Sequence, residues 1–257
     1  MNHYRKANIL GVAVDVTNYD SAVKKVLSLI KEDEHHYICV ASTQDIIIAQ
    51  RDVKFKRIVN NADLVTADGW PVVWAMELSG MEQRGRVTGP DLMLEVCKES
   101  INKRYSHYFF GGAPGVPELL SKKLGQKYPG LIVKGAFSPP FKEIITQESE
   151  EILKMLNSSK ADILWIGLST PKQQYWIESN LDKINIPVVF AVGAAFDFHS
   201  GRIKRAPVWM QKYGLEWFYR LCQEPKRLWK RYFIFLPKFA FLFAGQLLKL
   251  KHYDIEK

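Results

Sequence analysis

Five stretches of the chain collect side chains able to do chemistry. In Ala62 to Trp74 (ADLVTADGWPVVW), Asp68 directly follows a β-branched run and precedes Gly69. A carboxylate at such a strand end can serve as a general base, although an Asp-Gly pair serves equally well as a turn. RVTGPDLM supplies Arg86, Thr88 and Asp91. Its Gly89 and Pro90 open a helix whose N-terminus can hold an anion; a surface arginine and a capping aspartate explain the same residues. FFGGAPG places Gly111 and Gly112 between a strand and a helix. That is the setting of a phosphate-cradling loop, without the full dinucleotide spacing, and packing alone also uses such turns. GLSTPKQQYW puts Gln173 near the positive end of a helix opened by Pro171, within reach of a sugar or phosphate. VGAAFDFHSGRIKRAP adds Asp197, His199 and Arg205. A lone histidine is more often packed or at the surface than catalytic, so His199 is set aside.

The chain contains no Asp-x-Asp pair. Hard divalent cations on a diphosphate take clustered carboxylates, and Glu32, Asp33 and Glu34 fall in a polar link better read as a solvated loop. A site without metal needs cations from the protein itself. Between Arg202 and Lys251 there are 12 Lys or Arg, 2 acids and 12 aromatic residues. Removing that 12 and 2 from the chain's 36 basic and 27 acidic residues leaves 24 and 25, so essentially the whole net charge of +9 sits in this segment. Such a surface meets an anionic, partly apolar partner: a phospholipid head group, a lipid-linked phosphate or a nucleic acid.

The elements that must position these residues follow a simple rhythm. Up to about residue 195, short β-branched runs alternate with helix-period segments, the pattern of a Rossmann-like parallel sheet with helices on both faces. Strands are expected near 37–41, 64–67, 107–110, 131–136, 163–167 and 188–192. Helices are expected from Asp20 as cap to Ile30, through Asn60, from Gly89, over 117–128 and 146–156, and from Pro171. Ligands in open α/β sheets bind beyond the carboxyl ends of the strands, which is where the candidate residues fall. A composition change near Ser200 and Gly201 divides the chain into an α/β core, residues 1–200, and a helical, basic-aromatic appendage, residues 201–257. Within it Trp209, Tyr213 and Trp217, and again Phe235, Phe239 and Phe243, recur every four residues, so each trio lies on one helical face, which suits a membrane interface and would equally serve a packed core or a subunit contact. Phe233 to Leu248 is interrupted by Pro237 and Lys238 and falls short of the ~20 apolar residues of a bilayer span. The three cysteines, Cys39, Cys97 and Cys222, are widely spaced, as in a reducing compartment, and the first residues carry no signal-peptide pattern.

ADLVTADG, RVTGPDLM, FFGGAPG, GLSTPKQQ, VGAAFDFHSG with RAP, and EWFYRLCQEPKRLWKRY, taken in this order, resemble the WecG/TagA/CpsF family of bacterial glycosyltransferases over nearly the whole chain. The resemblance implies a metal-independent, inverting enzyme without a cofactor. It would move an N-acetylmannosamine-like sugar or related hexose from UDP to a polyprenyl-diphosphate-linked sugar, in cell-surface polysaccharide or teichoic acid synthesis. It also implies a cytoplasmic protein peripheral on the inner face of the cell membrane, and admits a homo-oligomer. Asp68 matches the family's general base and Arg86 an arginine of the same pocket. Gln173 matches a glutamine near the sugar nucleotide, and Asp197 a carboxylate meeting the ribose. Arg220 and Arg227, with Lys230 or Arg231, match cations that complete the diphosphate site. Many members read Thr-x-Asn where this chain has Val40 and Ser42; Ser42 retains a hydrogen-bonding hydroxyl and Val40 has none. The rival reading is a nucleic-acid-binding protein whose Arg, Trp and Tyr residues grip phosphates and stack bases; the transferase reading requires no nucleic acid.

Overall fold

The computed structural model describes residues 5–83, 85–139 and 148–256. Six parallel strands form the central sheet in the order β4-β3-β8-β7-β5-β6. In chain order, an antiparallel hairpin of β1 (Lys6–Ile9) and β2 (Val12–Asp15) precedes α1 (Tyr19–Leu29), β3 (His36–Ala41), α2 (Thr43–Ala49), α3 (Val53–Asn60), β4 (Leu64–Ala67) and α4 (Trp70–Leu78). Next come α5 (Gly89–Lys103), β5 (Ser106–Gly111), α6 (Val116–Lys127), β6 (Ile132–Phe137), α7 (Glu148–Ser159), β7 (Ile163–Gly167), α8 (Lys172–Asn180), β8 (Val188–Ala191) and α9 (Ala195–Ser200). The expected fold class and all six strands are present. The start of the helix expected at 146–156 lies outside the described residues.

Two apolar layers sandwich the sheet, because strands buried on both faces need helices on both. One layer packs α1, α5, α6 and α9 against inward residues such as Phe109, Trp165 and Phe190; the other packs α2, α3, α4, α7 and α8 against Val65, Ile166 and Val189. The hairpin was not foreseen. Leu10 and Gly11 turn it with positive φ at both residues, as a two-residue hairpin turn requires. Asp15 then fixes it beside β4 by accepting the Val65 N–H at 2.8 Å. The N-cap of α1 is Asn18, two residues before the expected Asp20: its side chain accepts the Ser21 N–H at 2.9 Å.

Beyond α9 the chain forms α10 (Val208–Lys212), α11 (Glu216–Gln223), α12 (Pro225–Lys230), a π-helical turn at Arg231–Phe235, and α13 (Leu236–Leu247). Among the described residues no helix is long and apolar enough to cross a membrane. The face read as a membrane contact is corrected here. Phe239 and Phe243 are buried and Phe235 packs beside them, all in the same core layer as α2 and α4. Burying large rings against an apolar layer outweighs leaving them at a surface. The opposite face of this segment carries Phe233, Phe241 and Leu248, at 65%, 79% and 69% exposure. Trp209 and Tyr213 are exposed as expected. Gln246 then ties α13 to the hairpin, accepting the Leu10 N–H and donating to the Asn8 carbonyl, both at 2.8 Å.

Candidate active site

A cleft of about 310 Å³ opens at the carboxyl ends of β3, β4, β7 and β8 and is roofed by the segment after α9. Parallel pairing places these strand ends side by side, since Ala41 is in register with Ala67 and Ile166 with Ala191. Asp68 follows β4 directly. Its N–H donates to the Ala41 carbonyl at 3.0 Å, so the backbone that carries the carboxylate is fixed by β3. The side chain is half-buried at the cleft wall and, among the described residues, has no hydrogen-bond partner. Burial lifts the Asp68 carboxyl above its ordinary range. Arg231 and Arg86 pull it down, while Glu216 and Asp45 add to the rise.

On the β7 side, Gln173 stands in the first turn of α8. It is buried, and its Oε1 has no partner although it faces Gly193 across the cleft. A buried amide oxygen left unpaired is a standing vacancy for a donor. Ser42 does line the cleft, but its hydroxyl is committed: Oγ donates to Asp45 Oδ2 at 2.5 Å, and the Ser42 N–H donates to the same oxygen at 3.0 Å. Ser42 therefore caps α2 with Asp45 as its partner, and its oxygen keeps lone pairs that can still accept a hydrogen bond. Val40, Ala191 and Val192 form the apolar corner beside it.

The roof is bolted to the core by a chain of ion pairs. Arg205 grips Asp91 through both guanidinium nitrogens and donates from Nε to Glu216 Oε1 at 3.2 Å; Arg86 Nη1 donates to Glu216 Oε2 at 2.9 Å. Burial works against the charge of Asp91, yet its bonds to Arg205 hold its carboxyl below the usual range. Arg86 also bonds the Gln211 carbonyl at 3.3 Å and lies over Trp70. Its guanidinium is thus spent on the roof. Arg86 nonetheless lines the same cleft as Asp68, and further arginines share that lining.

Those arginines are Arg220, Arg227 and Arg231, which line the cleft from α11, α12 and the π-helical turn. Arg227 is paired with Glu224 at 2.6 Å. Arg220 and Arg231 each bury an unpartnered Nε, and Arg220 stacks over Phe198 at 5.0 Å. Burial, followed by the charge of Arg231, lowers the pKa of Arg220. Unpaired cations crowded at one mouth, opposite an unpaired carboxylate, describe a site for an anion beside a proton acceptor. Among the described residues no group of three or more His, Cys, Asp or Glu is arranged to hold a metal ion.

The model of the glycosyl transferase WecG/TagA/CpsF family matches residues 7–253 of this chain. The chain belongs to that family. Among its relatives, the Bacillus subtilis (strain 168) N-acetylglucosaminyldiphosphoundecaprenol N-acetyl-beta-D-mannosaminyltransferase is 28% identical over 221 residues, covering 83% of this chain and 84% of the relative. The Staphylococcus aureus (strain MW2) protein of the same name is 26% identical over 248 residues, 96% and 95% of the two chains. The Bacillus spizizenii protein of that name is 25% identical over 211 residues, 82% and 79%.

In this WecG/TagA/CpsF family member four expected site residues stand apart from the cleft lining. Gly111 and Gly112 end β5, two strands away from β8, and their glycine character serves close packing: a Cβ on Gly111 would fall 2.9 Å from the Gly167 carbonyl carbon. Asp197 lies 3.5 Å from Arg202, with its carboxyl raised by burial and drawn down by the charges of Arg202, Arg227 and Arg220. Lys230 points over Trp229. His199, set aside from the start, bonds the Pro90 carbonyl at 2.8 Å. The residue missed was Asp45; the Ser-x-x-Asp spacing of a capping box was its signal.

Proposed function

We propose that this chain transfers an acetamido-sugar from a UDP-sugar to a sugar linked through diphosphate to a polyprenyl lipid, with inversion and without a metal. The observation that carries the reading is Asp68, an unpartnered carboxylate with a raised pKa facing the unpartnered Arg220 and Arg231 across one cleft. The acceptor hydroxyl oxygen bonds to the anomeric carbon while Asp68 takes its proton. The bond from that carbon to the diphosphate breaks, and the electron pair leaves with UDP. General-base help of this kind is worth about 100- to 10,000-fold. Arg220, Arg231 and Arg227 offset the charge that develops on the departing diphosphate, the role a metal fills elsewhere. Gln173 meets the sugar nucleotide with its free amide oxygen. The relatives are named for N-acetylmannosaminyl transfer to N-acetylglucosaminyldiphosphoundecaprenol, which supports this donor sugar and acceptor.

In this reading residues 1–200 hold the reactants and residues 201–257 close over them at a membrane surface. Phe233, Phe241 and Leu248, interspersed with Lys238, Lys249 and Lys251, suit an anionic lipid interface. The chain would then act at the inner face of the cell membrane, in building a surface polymer. The test is to incubate the protein with a panel of UDP-sugars and polyprenyl-diphosphate N-acetylglucosamine and to seek a disaccharide lipid by mass spectrometry. Product formation that survives EDTA is expected. No product from any donor sinks the proposal, and a strict Mg2+ or Mn2+ requirement sinks its metal-free part.

A further inference from the structure

Asp45 is buried, 5% exposed, at the first turn of α2, and belongs to no ion pair among the described residues. Its carboxylate is nonetheless saturated. Oδ2 accepts the N–H and hydroxyl of Ser42; Oδ1 accepts the Thr170 hydroxyl at 3.0 Å and the Gln174 amide at 3.4 Å. Four donors and no acceptor around one carboxyl is the complement of the ionised form. The bonds also join parts of the cleft that the sheet does not join. Ser42 ends β3 and Thr170 follows β7, and β8 lies between those strands. Asp45 is a strut over the carboxyl end of β8, and Thr170 at its far side leads into α8, which carries Gln173.

We infer that Asp45 is a positioning residue of the transfer site: it sets the spacing between the β3 and β7 ends and holds a fixed negative charge behind Asp68. This rests on the transferase reading above. The groups whose charges act on Asp68 are Arg231, Arg86 and Arg220, which favour its ionised form, and Glu216 and Asp45, which oppose it; Tyr19 is also within its field. Asp45 differs from Glu216 in having no cation paired with it, so its charge reaches Asp68 with less compensation.

Two variants separate the strut from the charge. Thr170→Val breaks the strut and keeps the charge; Asp45→Asn removes the charge and its bonds to Ser42. UDP binding is measured by titration calorimetry. The pH dependence of kcat/KM is measured with UDP-N-acetylmannosamine and polyprenyl-diphosphate N-acetylglucosamine, and thermal midpoints report folding. Losing a hydrogen bond worth about 1 kcal/mol should weaken UDP binding about fivefold in both variants. In Asp45→Asn alone the acid limb of kcat/KM should move to lower pH, by about half a unit, because a like charge has been removed from beside the base. UDP binding unchanged in Thr170→Val overturns the strut, and an unmoved acid limb in Asp45→Asn overturns the charge. Should Asp45→Asn not fold, Asp45→Glu, which keeps the charge and shifts the oxygens, must weaken UDP binding without moving the limb. An acid limb that persists in Asp68→Asn is a failure of the base assignment instead, and leaves the UDP result for the strut standing.

Discussion

The two walls of the cleft are built by opposite means. The sheet wall hangs each functional group from a strand end whose backbone is locked by a neighbouring strand, as the Asp68 N–H is by Ala41. The roof carries its arginines on α11, α12 and a π-helical turn, held by ion pairs and by rings packed on the core. One wall offers fixed geometry with little charge; the other offers charge on a strap that is fastened at intervals. Proton transfer tolerates little displacement, whereas stabilising a diphosphate needs positive potential over several oxygens. The division of labour follows from those tolerances.

The largest expected effect falls on the fixed wall. Asp68→Asn should cut kcat by about 100- to 10,000-fold. In wild type, kcat/KM should fall as pH drops through the raised pKa of Asp68, because below it the base is already protonated. The same shift means that ionised Asp68 costs stability at neutral pH, a cost relieved on acidification. Thermal denaturation of Asp68→Asn should therefore show a midpoint no lower than wild type. A midpoint several degrees lower would make Asp68 a structural residue and erase the contrast between the walls.

Next come the fastenings of the strap. Phe239→Ala empties a buried site and should cost about 3–5 kcal/mol, whereas Phe241→Ala on the outer face should change stability by less than about 0.5 kcal/mol while weakening sedimentation with anionic liposomes. Equal losses in urea unfolding would mean that the two faces of α13 are not distinct. Arg231→Ala should lower kcat by about 100- to 1,000-fold with the fold intact, in the range of a lost charge stabiliser. Full activity there would leave the roof as mere cover. Smaller than the losses at Phe239 and Arg231 is the effect expected from Glu216→Gln, which removes the carboxylate shared by Arg86 and Arg205. A cost of roughly 1–3 kcal/mol and a raised KM are expected, the KM effect fading at high salt in wild type as the same pairs are screened.

What could be read from the sequence divides along the same line. β-Branched runs and turn residues fix local conformation, so all six sheet strands were legible, as were the helix at Gly89 and Asp68 at a strand end. Contacts between distant segments have no local signal. Arg86 was legible as an arginine of the cleft, but nothing near it in sequence reveals its partner Glu216, 130 residues away. Phe239 and Phe243 have the spacing of an amphipathic face, and spacing does not say whether lipid or protein covers it. Gly111 and Gly112 fit a phosphate loop as well as a tight crossing beside Gly167, and that close approach between β5 and β7 has no signal in the local sequence.

The amide clasp of Gln246 on Asn8 and Leu10 has a consequence for synthesis. It joins residues 236 and 238 positions apart, so the hairpin, already held to β4 through Asp15, gains its tie to α13 only after the intervening chain has been made. The arginines that would meet the diphosphate lie on the span between. A nascent chain halted before residue 246 can have its sheet, its Asp68 and the ion pairs of its roof and still lack the tie between α13 and the hairpin.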